Sequence, residues 1–146
     1  INISYPEKDA EKQKLIATTG IKDISPKKII SSSNLIKAQE LIRAIPVGEK
    51  VIEAILTLVR NARPNTSELN LIKDSLSWGP GPRASQALMT ATRARAVLNG
   101  RLSPSIDDVV DLAEPILKHR MNLNYTAKAD GKTLNTILNE LINTIK

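Results

Sequence analysis

Apolar residues recur at spacings of three and four along most of the chain after residue 33, and few stretches alternate between apolar and polar positions. Spacings of three and four place side chains on one face of an α-helix. The segments with this pattern are NLIKAQELIRAI, GEKVIEAILTLVRNARP, TSELNLIKDSL, RASQALMTATRARAVLNG, SPSIDDVVDLAEPILKHR and KTLNTILNELINTI. The pattern predicts an all-α fold, a bundle of about five to six helices.

Proline, glycine and serine mark where these helices begin and end. Pro46 and Pro64 each follow an apolar segment, and a proline cannot continue a helix. The sequence WGPGP at 78–82 contains two glycines and two prolines and predicts a turn. Ser103 is predicted to be the N-cap of a later helix, with Pro104 at its first helical position.

The first 33 residues carry a weaker pattern. INISYP has two isoleucines that alternate with polar residues, which predicts the end of a strand at Ile1–Ser4. A helix with a thin apolar stripe is predicted after it. We therefore expect three parts: residues 1–20, a connector at 21–33, and a helical domain at 34–146.

The composition favours helices and limits the chemistry. Apolar residues make up 41% of the chain and aromatic residues only 2%, and a core of leucine, isoleucine, valine and alanine suits helix packing better than sheet packing. The absence of cysteine excludes disulfides and thiolate metal sites. No apolar stretch approaches the ~18 residues that a membrane helix needs. We expect a soluble, cytoplasmic protein with no membrane contact.

Catalytic groups are scarce. His119, the single histidine, lies between two basic residues at a predicted helix end, where it complements the helix dipole. Asp107 and Asp108 are adjacent, so a helix points their carboxylates about 100° apart. Neither a GxxxxGK(S/T) phosphate loop nor a GxGxxG motif occurs. We expect no metal site and no catalysis by this chain alone.

A run without acidic residues extends from Ser75 to Ile106 and contains four arginines. They are Arg83, Arg93, Arg95 and Arg101. Arg83 stands where the turn gives way to a helix, at the positive end of the helix dipole, which costs roughly 0.3–1 kcal/mol. Two explanations are open. Either the guanidinium pairs with an acid of another helix or points into water, or it binds a phosphate together with free N–H groups of the helix start.

Three segments follow one another in an order that resembles the C-terminal lid of the MoxR branch of AAA+ ATPases. They are the turn WGPGPRA, the helix RARAVLNGR and the helix PSIDDVVDLAEPILKHR. The matching positions are Gly79, Pro82, Arg83, Ala84, Arg93, Ala94, Ala96, Gly100, Arg101, Pro104, Asp108, Val109, His119 and Arg120. Residues 1–20 resemble the last strand and following helix of the ATPase core, and AIPVGEKVIEAILTLVRNARP resembles the first lid helices. Gly81 departs from the family pattern, which has serine there.

The resemblance implies a role for the turn. Arg83 corresponds to the sensor-2 arginine, which reaches from the lid to the γ-phosphate of ATP, with Gly81 and Pro82 as nucleotide-binding neighbours. The phosphate loop and the magnesium-binding acids belong to the ATPase core, which we expect to precede Ile1. The full-length protein is expected to be a chaperone-like homohexamer that uses ATP and Mg²⁺ and works with von Willebrand factor A-domain partners.

Two other functions stay open on the sequence alone. A basic helical module that binds nucleic acid would fit the net charge of +6 and the arginine run. Against it, Arg83, Arg93 and Arg95 fall about 80° to 160° apart on a helical wheel and form no single stripe. Trp78 is interpreted as a hydrophobic plug in preference to a base-stacking residue. A stand-alone helical adaptor is the other alternative.

Overall fold

The computed structural model describes residues 4–21 and 26–146, and this part of the chain is helical apart from one small sheet. The prediction of an all-α fold is confirmed. The predicted strand at Ile1–Ser4 lies outside the described residues except for Ser4, which is not in a strand. The chain forms two compact units that divide between Ala38 and Gln39.

The first unit contains helix α1 (Lys8–Thr19) and the start of α2 (Ser32–Ala44), within which the division falls. Every residue of α1 is exposed, including the apolar side chains of Leu15 and Ile16. The hydroxyl of Ser31 accepts a hydrogen bond from the Asn34 N–H and caps α2. Neither helix contains a buried residue.

The second unit is a helical bundle with a continuous apolar core. Its helices are α3 (Glu49–Asn61), α4 (Asn70–Ser75), α5 (Pro82–Leu98), α6 (Ile106–Leu117), α7 (Tyr125–Ala129) and α8 (Leu134–Asn143), and a 3₁₀ turn at Lys118–Arg120 prolongs α6. Helix α5 packs against α6 and α3, and α8 packs against α6 and α3. The fully buried core residues include Leu58, Val59, Leu88, Val109, Leu117, Ile137 and Leu141.

Helix α5 contacts its neighbours through small side chains and ends in a defined cap. Its buried residues follow at intervals of four: Ala84, Leu88, Thr92 and Ala96. Gly100 lies just past the helix and has φ +70. The Gly100 N–H donates to the Val97 carbonyl and the Arg101 N–H to the Ala96 carbonyl, which is a Schellman cap. This cap fixes where the Arg101 side chain leaves the backbone.

The pattern did not predict the small sheet. Strand β1 (Leu76–Trp78) pairs antiparallel with β2 (Asn122–Leu123), with Leu76 opposite Leu123. The side-chain amide of Asn124 donates to the Asp74 carbonyl at 2.7 Å and supports the pairing. Strands this short cannot show an alternation of apolar and polar residues. Tertiary contacts, which no local pattern records, bring the two segments together. The helix predicted from TSELNLIKDSL is accordingly shortened to α4.

The prediction of Ser103 as the N-cap of α6 and Pro104 as its first residue is wrong. The helix begins at Ile106, and Ser105 is its N-cap. Asp108 decides this register, because its carboxylate accepts the Ser105 N–H at 2.8 Å and completes a capping box. Ser103 has no acidic residue three positions later with which to form such a box.

Candidate functional site

The three residues predicted to bind nucleotide lie together where the turn after β1 enters α5. Gly81 is the N-cap residue, with extended backbone at φ −78 and ψ −179, and its position carries no side-chain cap. Pro82 occupies the first helical position, where its missing N–H costs nothing. Arg83 follows within the first turn, as the sequence predicted.

Arg83 is exposed, and within the described residues its guanidinium forms no hydrogen bond and no ion pair. Its own backbone N–H also lacks an acceptor in the described part of the chain, whereas the Ala84 N–H donates to the Gly81 carbonyl at 3.0 Å. The sequence suggested several free N–H groups here. Pro82 has no N–H and the Ala84 N–H is engaged, so among the first three helical residues Arg83 alone offers a free amide. Among the acids that the structure describes, none lies within ion-pair distance of the Arg83 guanidinium.

The turn lies directly on the C-terminal end of α3. A Cβ atom placed on Gly79 would stand 2.0 Å from the Ala62 carbonyl oxygen, so only glycine fits. The Arg63 Nε–H donates to the Pro80 carbonyl at 2.7 Å. Sequence reasoning missed Arg63, because this bond joins residues 17 apart and no local pattern marks it. Two consecutive turn residues are thereby held against α3.

A cleft of about 440 Å³ opens beside this contact, between residues 63–66 and residues 77–82. Trp78 lines it and is 51% exposed, so the interpretation of Trp78 as a hydrophobic plug is wrong. The lining contains one cationic side chain, that of Arg63, and no carboxylate. Magnesium takes oxygen ligands, with carboxylates prominent among them, so the residues present do not fit a magnesium site.

Two other arginines of the acid-free run pair with Asp108, which is 2% exposed. Arg101 donates to both carboxylate oxygens, at 2.8 and 2.6 Å. The Arg95 Nε lies 3.2 Å from Oδ1 and the same side chain also pairs with Asp111. The hydrogen bonds from Arg101 lower the pKa of Asp108, and the same bonds raise the pKa of Arg101. These arginines join α5 to α6 and do not form a free basic surface.

The ion-pair cluster of Asp108, Asp111, Arg95 and Arg101 lies far from the turn that carries Arg83. Arg95 follows Arg83 by 12 residues, which is about 18 Å along the helix axis. Arg83 therefore differs from Arg95 and Arg101 in its surroundings, although all three belong to the same run. Arg83, Arg95 and Arg101 therefore do not form one site.

Several known proteins resemble this chain. The model of the AAA lid domain family matches residues 69–141, half of the chain. The chain is 28% identical to the chaperone MoxR1 of Mycobacterium tuberculosis over 146 residues, which are 99% of this chain and 38% of that protein. It is 30% identical to the uncharacterised protein YeaC of Bacillus subtilis over 118 residues, which are 81% of this chain and 34% of that protein.

The fold is also that of a solved protein. The crystal structure of a provisionally assigned ATPase from Cytophaga hutchinsonii superimposes with a TM-score of 0.79 over 97% of this chain and 43% of that one, at 24% identity. The chain thus spans little more than a third of the curated relatives it matches. Across residues 4–21 and 26–146, no helix has both the length and the apolar character to cross a membrane.

Proposed function

Because the chain belongs to the AAA lid domain family, we propose that it is the lid of a MoxR-type ATPase and that Arg83 is its sensor-2 arginine. In this proposal Arg83 contacts the γ-phosphate of ATP held by the ATPase core of the same protein, with Gly81 and Pro82 beside the nucleotide. The lid contributes to hydrolysis and does not catalyse it alone.

The observation that carries the proposal is the unneutralised cation at the start of α5. The Arg83 guanidinium and the Arg83 N–H both lack partners within the described part of the chain. An anion placed at this helix end satisfies both donors and also the positive end of the dipole. Gly81 leaves room for its approach, because no atom outside residues 80–82 lies within 4 Å of a Cβ built there. A phosphate is such an anion, and a guanidinium binds it through two parallel hydrogen bonds.

Arg83 would act on the charge of the reaction. When bound, ATP supplies the phosphoanhydride bond that is cleaved. The guanidinium neutralises charge on the phosphoryl oxygens more strongly in the transition state than in the ground state, which lowers the barrier. The magnesium ligands come from the core in this proposal, since the turn offers no carboxylate.

The rest of the assignment rests on the family. We place residues 1–20 in the core, residues 21–33 in a connector and residues 34–146 in the lid. The exposed apolar side chains of Leu15 and Ile16 in α1 support the assignment of residues 1–20, because a helix of the core would bury such side chains against the rest of the core. The full-length protein is proposed to be a cytoplasmic, chaperone-like hexamer that works with von Willebrand factor A-domain partners.

Arg83→Ala in the full-length ATPase tests the central claim. Turnover is expected to fall on the order of 10²-fold or more, since a preorganised donor to transition-state charge is lost. Arg83→Lys restores part of the loss, because an ammonium lacks the planar fork. Arg60→Ala is the matched control, since Arg60 is an exposed arginine in the last turn of α3. A variant lid that melts several degrees lower while hydrolysis stays normal would identify Arg83 as a structural residue.

A further inference from the structure

The turn that carries Arg83 is held by one side chain from another part of the lid. We propose that Arg63 is a positioning residue for hydrolysis: its hydrogen bond to the Pro80 carbonyl sets the place of the turn, and so of Arg83. The inference rests on the proposed function and extends it to a residue outside the nucleotide-binding turn.

The Arg63–Pro80 contact has the features of a fixed bond. The Nε–H of Arg63 lies 2.7 Å from the Pro80 oxygen, and Pro80 is buried. A proline has no N–H, so the carbonyl is the only backbone group of residue 80 that can be anchored. The donor is cationic, which makes the bond shorter and stronger than one between neutral groups.

The neighbouring contact acts on the preceding residue. Gly79 lies so close to the Ala62 carbonyl that the backbone there cannot move toward α3. Arg63 prevents movement in the other direction, away from α3, because the turn would have to break the bond to Pro80. Together the two contacts oppose movement of the turn both toward α3 and away from it.

The chain between this anchor and Arg83 is short. The ring of Pro82 locks its φ, and the Gly81 carbonyl accepts the Ala84 N–H, so few free backbone torsions separate the Pro80 carbonyl from residue 83. A displacement at Pro80 is therefore passed on to Arg83. Misplacing a catalytic group by about 1 Å costs on the order of 10²-fold in rate.

A direct contact between Arg63 and phosphate is the competing explanation, since Arg63 lines the cleft and only one of its five N–H donors has an acceptor within residues 4–21 and 26–146. Two substitutions separate the roles. In Arg63→Gln the amide nitrogen stands the same number of bonds from Cα as Nε does, so a neutral donor can still reach Pro80. Arg63→Met has similar length and no donor.

The experiment measures kcat and KM for ATP in the full-length ATPase. Arg63→Met is expected to lower kcat roughly ten- to hundredfold with a smaller change in KM. Arg63→Gln is expected to stay within about threefold of wild type, because the bond and not the charge positions the turn. Arg60→Met is the control and is expected to match wild type. Adding Arg63→Met to Arg83→Ala should lower kcat no further than Arg83→Ala does.

Each remaining outcome decides the question. Equal losses in Arg63→Gln and Arg63→Met would replace positioning by direct phosphate contact. Normal kcat in Arg63→Met would make Arg63 dispensable for hydrolysis. Failure of that variant to fold at the assay temperature, as followed by circular dichroism, would make the role of Arg63 purely structural. If Arg83→Ala leaves turnover unchanged, the sensor-2 assignment itself fails. If Arg83→Ala lowers turnover and Arg63→Met does not, the present inference alone fails.

Discussion

Replacing Asp108 by asparagine should destabilise the lid strongly although the two side chains have the same shape. The Asp108 carboxylate accepts hydrogen bonds from both terminal nitrogens of Arg101 and from the Ser105 N–H and hydroxyl. Asparagine keeps one oxygen and presents an amide N–H₂ in place of the other. At least one guanidinium donor must then face another donor, whichever way the amide is turned.

The magnitude follows from burial and charge. Asp108 is 2% exposed, so water cannot replace the lost acceptor. Losing a hydrogen bond to a charged group costs about 1.5–3 kcal/mol, and breaking a buried ion pair costs about 3–5 kcal/mol. Because Arg101 remains partly exposed, we take the lower end, about 3 kcal/mol. For a unit of this size that lowers Tm by roughly 12 °C.

Thermal unfolding of this chain, followed by far-UV circular dichroism at several pH values, is the assay. The pKa of Asp108 is lowered in the fold, so its stabilisation is complete above the unfolded value of about 3.9 and is lost as pH falls through the folded value. The difference between wild type and Asp108→Asn should therefore be full at pH 7 and shrink below about pH 4.

The adjacent, exposed Asp107 provides the control, and Asp107→Asn should cost at most about 1 kcal/mol through the helix dipole. Equal melting temperatures for Asp107→Asn and Asp108→Asn at pH 7 would refute the reasoning, and so would a difference that does not change between pH 7 and pH 3.

Three further predictions concern the turn and the isolated chain. Gly79→Ala should lower Tm by roughly 5 °C or more, because its Cβ meets the Ala62 carbonyl, whereas Gly48→Ala, an N-cap position with open space around it, should lower Tm less. Gly81→Ser should raise stability by a few tenths of a kcal/mol in urea unfolding by adding a side-chain N-cap, and a loss would mean that the turn does not tolerate the hydroxyl. By calorimetry the 146-residue chain should bind ATP no tighter than roughly millimolar and show no turnover; micromolar affinity would reveal a site not described above.

Most of the fold could be predicted from the sequence because it is local. Apolar spacing identified the long helices, and Gly100 marked the end of α5 through a backbone conformation that glycine readily adopts. The start of α6 was misplaced because both Ser103 and Ser105 are good caps. The choice between them depends on Asp108 being anchored by Arg101, a contact across a loop.

The candidate site divides in the same way. Arg83 could be identified from sequence, since a cation at a helix N-terminus conflicts with local electrostatics and therefore indicates a partner. Arg63 could not be identified, because nothing near residue 63 indicates that the Pro80 carbonyl lies against it. The small sheet escaped prediction for the same reason, as β1 and β2 are separated by more than forty residues. Contacts distant in sequence leave no periodic signal.

The ion-pair cluster at the C-terminal end of α5 has a mechanical consequence for the turn that precedes the helix. Helix α5 has 17 residues, about 25 Å, and is clamped at one end by Asp108 and at the other by Arg63. A tilt of about 5° around the Asp108 end sweeps the other end through roughly 2 Å. If Arg83 contacts the γ-phosphate as proposed, a displacement of that size exceeds what the reaction tolerates, so the contacts at Asp108 and at Arg63 are both needed to hold α5 in place.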